Sequence, residues 1–470
     1  MLLQRVYHVS TSGSDSNDGS YARPFKSIQH CHSKGACEIA PGVYRESIDI
    51  YHDGASFSGR AGAVISGLDP LEDLQWTSTS QRCVFRTRVN ASLPPIEQLF
   101  YGGEMMVEAR WPNLGSIVNV GDASMSLHAW RKVGSGSAYG RVVDPALRTN
   151  FSWVGALATL NVAHQWNTWT RRVTHHDPSA GAFEYPKDLP GLAGYDPTKY
   201  PGQAHIWDGC NRAKCNQYFL SGKLDALDAP GEWYAPMAHP LYPWPIPCGR
   251  TRHHGRVHAS HCGVCVCVCV CGITYRFHDA DKGLLYFYPP PDSSSACAVP
   301  TAALEYKARD YAFRSDGKSN VSLHGMTIKG ATIRLTKCTD CVLSNLTLRF
   351  PSYSREVKEL NAKPASVAST LLDGTRIALT NISLTQSNNH GLVLRGDRIT
   401  VDNCLVSFTD WLGSLTYHPL GAVGNQISVR RCTVHDFGNA GVVTNIPNSP
   451  PAAQGQPQEP PRPMAVRDLP

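Results

Sequence analysis

The chain has 470 residues, 42% of them hydrophobic and only 17% charged, with 40 Gly and 33 Pro. The formal net charge of +6 is mild, and Lys and Arg are scattered without a basic run, which argues against nucleic acid as a partner. No stretch approaches 18 consecutive apolar residues, so no membrane-spanning helix is expected, and a turn-rich all-β protein suits the composition.

From the N-terminus, Tyr7-His-Val reads as a strand and the Ser/Gly/Asp/Asn run up to Ser20 as a polar loop. A short amphipathic helix is expected from Ser27 to His32, followed by a strand after the Pro41-Gly turn. A helix here would plug the open end of a stack of strands. Asp15, Asn17 and Asp18 resemble calcium ligands in type, but the twelve-residue loop and its closing Glu are absent, so turn formation is the better reading. No metal site is expected among them. The start, Met1-Leu-Leu-Gln-Arg-Val-Tyr, is too short for a signal peptide. Five Asn-x-Ser/Thr sequons, at Asn90, Asn150, Asn320, Asn345 and Asn381, nonetheless point to a secreted, extracellular glycoprotein, although Asn345 and Asn381 fall in an expected amide ladder, where a glycan would not fit.

Short strands continue through Ala63-Val-Ile-Ser and Cys83-Val-Phe-Arg to Gln98-Leu-Phe-Tyr-Gly-Gly-Glu-Met-Met-Val-Glu-Ala-Arg-Trp-Pro-Asn113. Residues 1–113 are thus expected to form a cap and the first turns of the fold. Residues 114–300 lose the repeat and are rich in aromatics such as Trp130, Trp153, Trp169 and Trp233, which suggests an inserted β-rich domain. Within it, Leu224-Asp-Ala-Leu-Asp-Ala-Pro-Gly-Glu-Trp-Tyr234 is separated by 48 residues from Gly283-Leu-Leu-Tyr-Phe-Tyr-Pro-Pro290. The intervening stretch contains Cys265-Val-Cys-Val-Cys-Val-Cys271, which is what a (TG)n dinucleotide repeat encodes. Residues 235–274 are therefore read first as a retained intron and second as an exposed loop. A Cys/His metal cluster is disfavoured, because strict Cys-x-Cys alternation on a strand sends the thiols out in a row rather than onto one ion. The Pro/Gln-rich end, 446–470, is expected to be disordered, and further repeats to be missing before it.

The repeat itself lies in residues 301–445. Val321-Ser-Leu-His-Gly-Met-Thr-Ile is followed by Cys341-Val-Leu-Ser-Asn-Leu-Thr-Leu, Ile377-Ala-Leu-Thr-Asn-Ile-Ser-Leu, Ile399-Thr-Val-Asp-Asn-Cys-Leu-Val and Ile427-Ser-Val-Arg-Arg-Cys-Thr-Val. The starts are 20, 36, 22 and 28 residues apart, a unit of 20–22 with inserted loops. Short alternating runs are strands, and stacked strands of this period make a parallel β-helix. At the fifth place stand Gly325, Asn345, Asn381, Asn403 and Arg431, so the Asn residues are expected to form an amide ladder. Cys404 and Cys432 fall at one register and are expected to fill the interior.

Several of these phrases carry a resemblance. The opening block through Pro41-Gly-Val-Tyr-Arg-Glu resembles the cap and first coil of the pectin-lyase-like superfamily of right-handed parallel β-helix proteins. Ala109-Arg-Trp-Pro-Asn113 and the Leu224–Tyr234 phrase resemble signatures of a carbohydrate-active subgroup of that superfamily, in which the latter phrase runs directly on to the one now at 283–290. The resemblance implies an all-β, right-handed parallel β-helix with an N-terminal cap and a polysaccharide or oligosaccharide partner. It does not fix the reaction, since one fold carries different chemistries.

Candidate chemistry follows the repeat strands. His390, Asp410 and Asp436 each come after the second run of three successive units, at places that look comparable, and could line one edge of a groove. Trp411, Tyr417, His418 and His435 could contact sugar rings. Each taken alone has a simpler reading as turn chemistry or a solvated loop. Glycoside hydrolysis by a pair of carboxylates, Asp410 and Asp436 with His390 beside them, is the leading expectation. The alternatives are β-elimination from a uronic acid, with calcium as the one conceivable cofactor, and a non-catalytic glycan-binding or surface module. A monomer is expected.

Overall fold

Every fifth residue of the C-terminal repeats turns the chain. In the computed structural model, which describes residues 5–114, 130–162, 167–188, 216–236, 283–291, 297–357, 369–410, 418–438, 442–445 and 466–467, three columns of residues adopt left-handed backbone. The first is Asp340, Arg376, Arg398 and Gln426; the second is Asn345, Asn381, Asn403 and Arg431; the third is Phe350, Gln386, Phe408 and Asp436, all with φ between 50° and 65°. Only four residues run straight between one bend and the next. The strands Thr332–Arg349, Thr370–Ser387, Leu392–Thr409 and Leu420–Arg430 therefore curl, and they pair in parallel so that bend lies over bend. At a further corner Gly396 sits at φ +122°, where an added Cβ would lie 1.8 Å from the carbonyl oxygen of Gly374 on the preceding rung.

The pattern inside each straight run decides what is buried. The first and third residues after a bend point inward and stack on their counterparts. One such column reads Cys37, Phe57, Leu323, Leu343, Leu379, Val401 and Val429; another reads Ile65, Ile328, Leu348, Leu384 and Val406. All belong to one continuous core. Truncating such a side chain to Ala costs about 2–5 kcal/mol, so this seam holds the rungs together. At the second bend the amide ladder is present: Asn403 Nδ2 donates to Asn381 Oδ1 at 2.7 Å, and Asn381 Nδ2 to Asn345 Oδ1 at 2.8 Å. Cys404 and Cys432 are buried in the interior.

Among the described residues the parallel sheet has 16 strands, and the fold is nearly all β. The α-helix Ile28–His32 begins at Ser27, whose hydroxyl accepts from His30 N. Asp15 does not gather an ion but accepts from the backbone N–H of Lys26 and Ser27, fixing the loop to the helix start. A disulfide, Cys31–Cys37, ties the helix to the next strand.

Between the rung carrying Ser56–Gly59 and the one carrying Ser322–His324, which pair directly, the chain makes a long excursion. It leaves at Gly67 and returns beside it: Gly67 O accepts from both Ala308 N and Arg309 N, at 2.8 and 2.9 Å. Among the described residues the excursion forms four smaller sheets. Their strands begin with Leu68–Pro70, Thr77–Ser78 and Phe85–Arg88, so this β-rich region starts near residue 68 rather than at the expected boundary of 114. The reason lies in pairing: Leu68–Pro70 and Leu99–Tyr101 add to Leu304–Lys307 from the far end of the excursion. Cys83–Cys297 bridges the same two ends. The two phrases separated in sequence also meet: Trp233 pairs with Phe287 and Tyr234 with Tyr286 as adjacent antiparallel strands. The Cys-Val segment between them, and most of the Pro/Gln-rich end, lie outside the described residues.

Candidate functional site

The segment Pro351–Val357 leaves the parallel sheet at the Phe350 bend and lies against the sheets of the excursion. Thr170 N donates to Val357 O at 2.9 Å, and Arg172 pairs with Glu356 at 3.1 Å. The central contact is a bidentate pair. Arg355 Nε donates to Glu108 Oε2 at 2.8 Å and its Nη2 to Glu108 Oε1, both groups being buried. Burial opposes the charge on Arg355, but Glu108 more than offsets it and raises the guanidinium pKa.

Glu108 and Arg110 belong to consecutive short strands, Val107–Glu108 and Arg110–Trp111, which pair with different partners. Arg110 stacks over the Phe219 ring at 3.8 Å and donates from Nε to Pro112 O at 3.0 Å. Burial pushes its pKa down to about 9, against the attraction of Glu232. These side chains, with Trp130, Tyr353 and Asn388, line a cleft between the excursion and the parallel sheet. Behind the strand, Glu232 accepts from the backbone N–H of Arg110 at 3.3 Å and of Asp228 and Ala229 at 3.2 Å. Burial lifts its carboxyl to about 8, more than those hydrogen bonds lower it. The phrases 98–113 and 224–234 thus meet across a parallel strand pair, Val107 opposite Glu232. Asn113 Nδ2 also donates to Asp228 Oδ1 at 2.8 Å.

Asn388 links this cleft to a buried polar corner of the parallel sheet. Its side chain accepts from Ser354 N at 2.9 Å and donates to Ser354 O at 2.8 Å. The next residue, Asn389, donates to the hydroxyls of Ser352 and Ser354, and its carbonyl accepts from Asp410 N at 3.1 Å. His390 Nδ1 accepts from His418 N at 3.2 Å, and the two rings stand 6.1 Å apart, edge to face. Burial pushes the His390 imidazole down to about 3, helped by His418 and Arg395, and burial also lowers His418. Both are neutral at physiological pH. Asp410 is completely buried.

Three of the residues singled out by sequence, His390, Asp410 and His418, therefore share one corner. His435 and Asp436 do not join them. Both are exposed, and His435 Nδ1 lies 2.5 Å from Asp436 Oδ2. The expected equivalence of Asp410 and Asp436 is corrected by the register. Thr409 pairs with Phe437, which aligns Asp436 with Phe408, while Asp410 aligns with Asn388 and Gly438. The bends set this alignment, and sequence spacing after the second run does not. Trp411 and Tyr417 lie outside the described residues. Among the described residues no group of three or more His, Cys, Asp or Glu is placed to hold a metal ion. No helix among them is long and apolar enough to cross a membrane.

No protein-family model matches the chain, and no curated protein matches it. A solved structure described as "Glycoside hydrolase" is similar over 94% of this chain and 95% of its own, at 11% identity and a TM-score of 0.46. Another, "The complex structure of XylC with xylose", is similar over 94% of this chain and 64% of its own, at 10% identity and a TM-score of 0.41.

Proposed function

We propose that the protein is a secreted, carbohydrate-active member of the pectin-lyase-like right-handed parallel β-helix proteins and hydrolyses glycosidic bonds of an extracellular polysaccharide. The cleft between the excursion and the curled sheet carries this reading. It sets aromatic walls, Trp130 and Phe219, beside fixed polar groups, Glu108, Arg110 and Arg355. Sugar rings need both: apolar C–H faces stack on aromatic surface while hydroxyls take up oriented donors and acceptors. Among the described residues the disulfides Cys31–Cys37, Cys83–Cys297 and Cys338–Cys341 suit an oxidising, extracellular setting.

Hydrolysis requires one carboxylate to carry charge and another to deliver a proton. In this reading Glu108, ion-paired with Arg355, supplies the first. Asp410, whose backbone N–H donates to Asn389 O in the corner beside Asn388, supplies the second. Asp436, exposed and aligned with Phe408, is not assigned that role in this reading. A second reading has its own support: the bidentate hold of Arg355 on Glu108 suits a rigid binding surface, and hence a non-catalytic glycan-binding module. β-Elimination is the third.

One panel of neutral and acidic polysaccharides separates them, read for bound chain, new reducing ends and unsaturated uronate absorbance. Hydrolysis predicts reducing ends without unsaturation, and a loss of about 100-fold or more in Asp410→Asn with binding kept. Binding without turnover transfers the protein to the second reading, and unsaturated products transfer it to the third. Neither binding nor turnover on the whole panel refutes a carbohydrate function.

A further inference from the structure

Cys404 and Cys432 stand at one register on successive rungs. Asp402 pairs with Arg430 and Leu405 with Thr433, and each cysteine lies between those anchors. Each directly follows a left-handed residue, Asn403 or Arg431, so each begins an inward-pointing run in the column that also holds Ile382. Strands paired in register lie about 4.8 Å apart, within the roughly 4.4–6.8 Å Cα window that a disulfide spans. Cys432 Sγ approaches Arg430 O at 3.1 Å. Among the described residues both cysteines are free.

We propose that Cys404 and Cys432 form an oxidation site that closes to an inter-rung disulfide, stapling the Cys432 level to the one before it. The two thiols are not equivalent. Hydrogen bonding between them raises the Cys404 pKa and lowers that of Cys432, which makes Cys432 the attacking thiolate. Cys432 lies between Leu420–Arg430, which pairs outward with Val442–Asn445 and Val466–Arg467, and Thr433–Phe437, which among the described residues pairs only with Leu392–Thr409. The oxidant is a small disulfide such as oxidised glutathione. The Cys432 thiolate attacks one of its sulfurs, forming a mixed disulfide and expelling one glutathione thiolate. Cys404, giving up its proton, then attacks the Cys432 sulfur and expels the second. Two protein thiols and one glutathione disulfide yield one protein disulfide and two glutathiones.

The test uses the full-length native protein, incubated with oxidised glutathione, alkylated, digested with trypsin and analysed by mass spectrometry without reduction. Arg430 and Arg431 lie between the cysteines, so the digest separates their peptides unless they are joined. The expected result is a Cys404–Cys432 linked pair that reduction abolishes. In Cys404→Ser, glutathione should remain attached to Cys432; in Cys432→Ser, Cys404 should be alkylated in full. Alkylation of both cysteines in the oxidised native protein overturns the proposal. So does glutathione retained on Cys432 while Cys404 is intact.

Discussion

Replacing Asn381 tests both forces that shape a rung. Its amide donates to Asn345 and accepts from Asn403, at 2.8 and 2.7 Å, and its backbone sits at φ +55°. The ladder is exposed to solvent, so each bond is taken at the low end of the net range, about 0.5 kcal/mol. Ala adds the left-handed penalty that Asn tolerates, about 1 kcal/mol. Asn381→Ala should therefore lose about 2 kcal/mol, a shift of roughly 30-fold in the folding equilibrium. Asn381→Gly loses the same two bonds but accepts the backbone freely, so about 1 kcal/mol is expected. Urea denaturation followed by tryptophan fluorescence gives both values from midpoint and slope. A loss below about 0.5 kcal/mol in the Ala variant would refute the ladder as a stabilising device. Equal losses in Ala and Gly would refute the strain argument while leaving the bonds in place.

Two other predictions concern stability as well. Replacing residues 237–282 by Asn-Gly should leave a hairpin, because Tyr234 already pairs with Tyr286 and Gly231 N donates to Tyr288 O. Shortening the loop should raise stability by up to about 2 kcal/mol, and failure of the shortened chain to fold would show that the segment is structural. The second concerns pH. His390 has a folded pKa of about 3, depressed from 6.5 by burial, so its contribution is complete above pH 6.5 and is lost as pH falls toward 3. His390→Gln should flatten the denaturation midpoint between pH 6.5 and 4, and an unchanged slope there would mean that other groups govern acid unfolding.

Much of the stack was legible because its signals repeat. Leu343, Leu379, Val401 and Val429 recur at the same offset from the Asn column, and each unit reinforces the others. The outer two bend columns were not legible. Phe350, Gln386, Phe408 and Asp436 share only a backbone conformation imposed by stacking, which no side-chain type announces. That gap produced the misaligned pairing of Asp410 with Asp436. The cleft was missed for a different reason. Glu108 meets Arg355 from 247 residues away, and Arg110 meets Glu232 from 122, distances over which alternation carries no information. The signal available was local: a Glu and an Arg two residues apart, within a phrase already conspicuous for its Trp and Pro.

The excursion at Gly67 also sets a timetable. Ser56–Gly59 finds its upper neighbour only in Ser322–His324, so some 260 residues must be synthesised before that neighbour can dock. At roughly 5–20 residues per second, that is about 13–52 s. Throughout that interval the nascent chain presents a finished cap and an open parallel edge, with Phe57 and Ile65 in the rung that awaits cover. The smaller sheets cannot all close early either, because Leu68–Pro70 and Phe85–Arg88 wait for Leu304–Lys307 and Leu284–Phe287. Assembly of this protein is therefore governed by late-arriving partners, and its period of greatest exposure to aggregation falls during translation.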